Sequence, residues 1–391
     1  MDDTSLSRDR TPTDANENTA ALVKLVTEVG PDIGEISRRL GQFKESVRYR
    51  YKEKLVKRGF QIKADVDYGA LGLTRIVMKV TLSPAYEGHA HELFETMSDL
   101  CYVVAYAGTT PHGTFIVHGG VPKEFVEEYH RFMQSLVRKG VFSEIEFFDC
   151  EWFRVAPMRA DCFDFDEGVW DVDWTDLPPV DDKAARATSG ERQKFDKVDL
   201  LIVKELWKDS SRSLRDIQEA IKKLNGIDIN YKTLGWHFKH HVQRNRLVRD
   251  YSVAWHGIRY NFTLQKLERM GKHEYMGFSI IVRRTNEQEK MTLRSQLNRL
   301  PFLWSEASGE AYYSQLFLPL PRLNEALEYM KKILKPYGKR AELFLLDLSE
   351  MRSFTIGYML WNDERSEWTF DGEATMPRLE RSMLKILGRT A

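Results

Sequence analysis

Cysteine is scarce: the chain of 391 residues holds three, Cys101, Cys150 and Cys162, and no two form a CxxC pair. A disulfide framework is thereby excluded and a thiolate zinc site disfavoured, so reduced thiols are expected. Long apolar runs are missing as well. No stretch approaches the roughly 18 residues that a membrane span needs. The opening MDDTSLSRDRTPTDANENTA lacks the apolar core of a secretion signal. A cytoplasmic location is the expectation. An excess of one charge is also absent, with 58 basic and 58 acidic residues. By bulk charge alone, nucleic acid is not the first partner suggested.

What is present changes that reading. Hydrophobic residues make up 42% and aromatics 12%, enough to build the cores of two or more domains. The charges are segregated. Arg38 to Lys63 carries ten bases against Glu45 and Glu53, and Asn230 to Arg249 carries five bases and three histidines with no acid. Asp161 to Asp182 holds acids and no base. Two basic islands and an acidic connector therefore add up to neutrality.

The chain also repeats itself. FDCEWFRVAPMRADCFDFDEGVW from Phe148 parallels LDLSEMRSFTIGYMLWNDERSEW from Leu346, matching Asp149 with Asp347, Arg154 with Arg352, Phe163 with Trp361 and Trp170 with Trp368. Upstream, KLVKRGFQIKADVDYGAL parallels HHVQRNRLVRDYSVAWHGI. Each copy reads as three short helices, a β wing and a β-α-β-β-α-β string. The fold class expected is α+β, two tandem copies of a winged helix-turn-helix followed by a ferredoxin-like βαββαβ domain. The expected boundaries are a disordered segment at 1–19, winged helices at 20–70 and 195–260, ferredoxin-like sensor domains at 71–160 and 261–370, an acidic linker at 161–194 and a helical tail at 371–391.

Copy two opens FDKVDLLIVKELWKDSSRSLRDIQEAI, with Asp196 and Ser213 as helix caps. Phe195, Asp196, Asp199, Ile202, Val203, Leu206, Asp209, Arg212 and Ser213 resemble the opening of the Lrp/AsnC transcription regulators. In the third helix, Thr233, Leu234, Phe238, Asn245 and Leu247 fit that pattern, whereas His237 and His241 depart from it. The resemblance implies a regulator of double-stranded DNA, tuned by a small effector such as an amino acid and acting as a homodimer or an intramolecular pseudo-dimer on an asymmetric operator.

A helix in the major groove presents its N-terminal side chains to base edges. Copy one offers Lys44, Ser46, Arg48, Tyr49, Arg50 and Lys52, with Lys57 and Arg58 for phosphates. Copy two offers Tyr231, Lys232, Thr233, Trp236, His237, Lys239 and His240, with Arg244, Arg246 and Arg249 for phosphates. Gly108, Thr109, Thr110, His112 and Gly309 are the candidate effector residues by the same resemblance. No catalytic residue, metal ligand or cofactor is expected.

Two rival readings stand beside this one. The winged helices could bind protein partners as a scaffold. Alternatively, the chain could be an enzyme, since the same two-part fold resembles siroheme decarboxylase subunits, which work as unlike pairs. His112, His118, His237, His240 and His241 would then be acid–base candidates. No catalytic spacing supports that second rival, so the expectation is a protein that is not an enzyme.

Overall fold

The computed structural model describes residues 14–110, 112–174, 177, 191–254, 258–261, 266–269 and 274–388. Within the acidic linker expected at 161–194, residues 175, 176 and 178–190 lie outside these residues, as do the first thirteen. Helix α1 (Asp14–Val29) begins inside the stretch expected to be disordered. It is followed by α2 (Ile33–Leu40) and α3 (Lys44–Arg50), and α3 runs on through a π-helical turn at Tyr51–Leu55. Asp32 starts α2 by accepting the Gly34 and Glu35 amides, and Gly41 ends it at φ 63°.

Then come β1 (Gln61–Val66), β2 (Leu73–Leu82), α4 (Ala90–Leu100), β3 (Val103–Thr110), β4 (Thr114–Pro122), α5 (Val126–Arg138) and β5 (Phe142–Val155). A short hairpin follows, β6 (Phe163–Asp164) and β7 (Val169–Trp170).

The second half opens with α6 (Lys197–Lys208), α7 (Leu214–Asn225) and α8 (Tyr231–His237), the last running into a π-helical turn at Phe238–Gln243. Capping boxes Asp196/Asp199 and Ser213/Asp216 start α6 and α7. Next are β8 (Val248–Ala254), the hairpin β9 (Ile258–Asn261) and β10 (Lys266–Arg269), β11 (Tyr275–Val282), α9 (Glu287–Leu297), β12 (Leu303–Gly309), β13 (Tyr312–Pro319), α10 (Leu323–Leu334) and β14 (Ala341–Ser353). The chain closes with the hairpin β15 (Trp361–Asn362) and β16 (Glu367–Trp368) and helix α11 (Gly372–Ile386). No helix among the described residues is long and apolar enough to cross a membrane.

This is a mixed α/β fold whose centre is one closed eight-stranded barrel in the order β11-β13-β12-β5-β2-β4-β3-β14. Two four-stranded arrays, β5-β2-β4-β3 and β14-β11-β13-β12, meet at two antiparallel seams. The barrel removes the exposed edges that each array would otherwise present. The expected wings do not form separate hairpins. Instead β1 and β8 pair with each other, Gln61 opposite Ala254 through Val66 opposite Val248, in a two-stranded ribbon shared by the halves.

The cores cross between halves. The first helical trio (Leu22, Val26, Ile36, Val47) shares one cluster with the second array (Phe278, Ile280, Leu316) and with Phe163 and Trp170 of the first hairpin. Conversely, Leu200, Ile202 and Leu234 cluster with Ile76 and Val117 of the first array and with Phe94 of α4. The start of the expected acidic linker is therefore packed structure: Phe163 and Phe165 contact Phe60, and Trp170 meets Phe302. The C-terminal helix docks as well, since Leu379 and Met383 are buried in the cluster that holds α4 and α5. Trp368 Nε1 donates to the Leu71 carbonyl at 2.7 Å, tying the last hairpin to the first half.

Candidate functional site

The barrel interior is layered because alternate residues of each strand point inward. At one end, Arg283 donates to Glu146 (2.5 Å and 2.7 Å) and to Glu342 (2.8 Å), closing that end with ion pairs. An apolar layer of Val77, Ile116, Phe148, Ile281, Ala307 and Tyr313 follows. The other end opens into a cavity of about 110 Å³. The β1–β8 ribbon contributes Gln61, Lys63 and Ser252 to its wall, and α6 contributes Trp207.

The cavity lining is cationic and aromatic. Lys63, Arg75, Arg352 and His118 stand among Tyr106, Phe153, Trp207, Trp304 and Phe317, and among the described residues no lining residue is an acid. Arg75 is buried, its guanidinium lying 3.9 Å from the Tyr68 ring centre and 4.5 Å from that of Phe153. The Nε of Arg75 and the Nε of Arg352 are both buried without a hydrogen-bond partner. Such orphaned charged donors carry a desolvation penalty of roughly 1–3 kcal/mol or more until something accepts from them. Burial pushes the Lys63 ammonium down to about 8, opposed by the charge of Asp209.

His118 lies at the floor of the cavity. Its Nε2 is 3.1 Å from the Tyr313 hydroxyl, which lies 3.4 Å from the hydroxyl of Ser279. Burial, and then the charge of Arg75, push the His118 pKa down to about 3, so the imidazole is neutral. Burial likewise raises the Tyr313 phenol above its ordinary range and keeps it protonated.

The expected site residues fall elsewhere. Lys44, Ser46, Tyr49, Lys52 and Lys57 are exposed on or just beyond α3, and Tyr231, Lys232, Thr233, Trp236 and Lys239 on or just beyond α8. Arg48 pairs with Glu45 in the next turn, while Arg50 bonds Gln42 and Arg58 bonds the Phe165 carbonyl. Arg244 and Arg246 are exposed past the end of α8, and His240 stacks on Trp236.

Two of these expectations are corrected. His237 is buried and bonded to Asp199 at 2.9 Å, so it does not face a groove. Arg249 is held by the Asp65 carboxylate in the β1–β8 ribbon, with its side chain 9% exposed. The ribbon folds onto the barrel and leaves this guanidinium no route to a phosphate.

The candidate effector residues are placed at the barrel seams and the β3–β4 hairpin. Gly108 and Gly309 sit at the two seams, opposite Asp347 and Cys150. A Cβ on Gly309 would run into the Asp149 carbonyl, and one on Gly108 into the Glu350 side chain. Glycine is required there for close strand approach. Thr109 donates to the Thr114 carbonyl at 3.0 Å within its hairpin, and Thr110 and His112 are exposed.

Sequence reasoning had considered His118 as an acid–base candidate but missed Lys63, Arg75 and Arg352 as cavity cations. The strand alternation that places Arg75 on the same face as Val77 was the available signal.

No protein-family model and no curated protein matches the chain. Among solved structures, the fold is similar to the siroheme decarboxylase NirDL, with 12% identity over 93% of this chain and 99% of that one at a TM-score of 0.49. It is similar over 34% of its length to E. coli AsnC (14% identity, 89% of that chain, TM-score 0.26). A Pyrococcus furiosus transcriptional regulator of the AsnC family is similar over 36% (17% identity, 89% of that chain, TM-score 0.26). Lrp/AsnC regulators are thus among the structural neighbours, each over a third of the chain. Against the expectation that the protein is not an enzyme stands this likeness over nearly the whole chain to a structure named as a siroheme decarboxylase.

Proposed function

We propose that this chain is an enzyme that binds a planar, polycarboxylate substrate of the tetrapyrrole class in the central cavity and removes carbon dioxide from one of its carboxylate arms. The carrying observation is the pair of buried guanidinium Nε groups, on Arg75 and Arg352, that lack an acceptor in a cavity walled by aromatic rings and, among the described residues, free of acids. Aromatic walls suit a flat ring, and the guanidinium forks suit carboxylates. The name of the NirDL neighbour supplies siroheme as a candidate of this chemistry, and its complex with an iron-uroporphyrin III analogue supplies a probe.

In this reading Arg75 and Arg352 orient the carboxylates. The apolar wall strips water from the reacting arm, which disfavours its charge and favours loss of carbon dioxide. The carbon left behind needs one proton, and the Tyr313–His118 pair stands at the cavity floor to relay it. The tandem reading completes the picture: two diverged copies form a pseudo-dimer within one chain, and the barrel between them holds the site. Incubation with siroheme, followed by mass spectrometry of the extracted tetrapyrrole, tests the reaction. Loss of carbon dioxide that disappears with Arg75→Gln is expected. An unaltered tetrapyrrole recovered from a protein that binds it would leave a carrier instead of an enzyme.

A second reading, binding to DNA, is favoured by the helix faces. Tyr49 (64% exposed), Tyr231 (49%) and Trp236 (51%) project beside exposed lysines on α3 and α8. The two readings use different surfaces and are compatible in one chain.

A further inference from the structure

Away from the cavity, α6 and α8 bring four potential ligands to one point. The ligand atoms of Asp196, Asp199, His237 and His241 all lie within 4.8 Å of one another. His237 Nδ1 is 2.9 Å from one Asp199 oxygen and 3.6 Å from Asp196 Oδ1, and His241 Nδ1 is 2.8 Å from the other Asp199 oxygen. A tetrahedral zinc site with bonds of about 2.0–2.1 Å has ligand-to-ligand edges of about 3.3 Å. The separations here bracket that value. The geometry points to a structural site for a divalent transition metal, zinc by its nitrogen and carboxylate donors, that clamps the start of α6 to the end of α8.

Charge and position support the assignment. Asp199 is fully buried and faces two imidazoles at once. The carboxylates of Asp196 and Asp199 would balance the two charges of a divalent cation that the imidazoles bind through Nδ1. His237 and His241 fall four residues apart at the junction of α8 with its π-helical turn, on one face. The first half shows what the same scaffold looks like without these donors. There α3 also runs seven residues into a π-helical turn, and Arg50 and Lys54 take the places of His237 and His241. A site in one half only is therefore a feature of side-chain chemistry and not of the helix geometry the halves share. It also goes against the expectation from sequence that no metal is bound.

The test uses the full chain, stripped with a chelator and titrated with Zn²⁺ against a chromophoric competitor, then with Co²⁺ for its visible spectrum. One equivalent of Zn²⁺ held at micromolar affinity or tighter, a tetrahedral Co²⁺ spectrum and a metal-dependent rise in melting temperature are expected. His241→Ala should weaken uptake by at least about tenfold. Asp196→Asn should do the same while keeping a competent helix cap, since Asn caps as well as Asp. His112→Ala, at a second and more exposed cluster with Asp347 and Glu350, should leave uptake unchanged. No stoichiometric uptake by the unaltered chain, or uptake indifferent to both His241→Ala and Asp196→Asn, would overturn the site and leave a hydrogen-bonded helix cap only.

Discussion

At the β5–β12 seam, Arg154 stands opposite Glu306, and the two form a buried ion pair that Asn298 and Tyr312 complete. At the β14–β3 seam, the matching Arg352 stands opposite Tyr106, bonds only the carbonyls of Ser349 and Met351, and faces the cavity. The backbones are joined in similar ways, but the arginines are used differently. One arginine is neutralised and locks a seam shut, while the other is left for something that enters. Two seams of similar backbone pairing thus differ in whether their arginine is neutralised.

The largest expected effect breaks that contrast directly. Arg154→Met leaves the Glu306 carboxylate buried without its partner, at a cost of about 3 kcal/mol in urea denaturation; Arg294, 3.9 Å from Glu306, keeps the loss at the low end. Arg352→Met should stay within about 1 kcal/mol of the unaltered chain while weakening tetrapyrrole binding at least about tenfold. Equal destabilisation by the two changes would erase the distinction between the seams.

The seam glycines sharpen the comparison. At Gly309 an added methyl meets rigid backbone, whereas at Gly108 it meets a side chain that can move aside. Gly309→Ala should lose about 1–3 kcal/mol, and Gly108→Ala measurably less, by thermal or urea melts.

The pH dependence of stability follows from His118. Its pKa is 6.5 unperturbed and about 3 in the fold, so the unfolded chain binds the extra proton between those values. Its contribution to stability is complete above about pH 6.5 and is lost as pH falls toward 3. His118→Gln should flatten this part of the curve, and an unchanged acid limb would remove His118 from the account.

The smallest effect concerns the helix faces. If α3 and α8 both meet DNA, Arg48→Glu and Lys239→Glu should each reduce the log–log salt slope of duplex binding by about 1. A change confined to one of them would assign DNA contact to that half alone.

Most helices and barrel strands could be read from the sequence, because periodicity and caps such as Asp196 and Ser213 act locally. The partners of those elements could not be read. β1 and β8 each look like half of a local wing, yet they pair with each other across 193 residues at Gln61–Ala254 and 182 at Val66–Val248 (254 − 61 and 248 − 66). His118 was visible as a titratable residue, but its neutral state depends on burial and on Arg75, which only the closed barrel brings together. Arg249 read as a phosphate contact because nothing in the sequence announces Asp65 as its partner. Gly108 and Gly309 stand out in the sequence, but the close approach that an added Cβ would meet there is visible only in the fold.

The central claim is that the unpartnered Nε groups of Arg75 and Arg352 belong to one anion-binding cavity, and absorbance titration with iron-uroporphyrin III tests it most directly. Saturable binding of one equivalent, weakened at least about tenfold by Arg75→Gln and by Arg352→Met and untouched by Lys239→Glu, is the predicted result. Absence of saturable binding, or binding that Arg75→Gln and Arg352→Met leave intact, would contradict it.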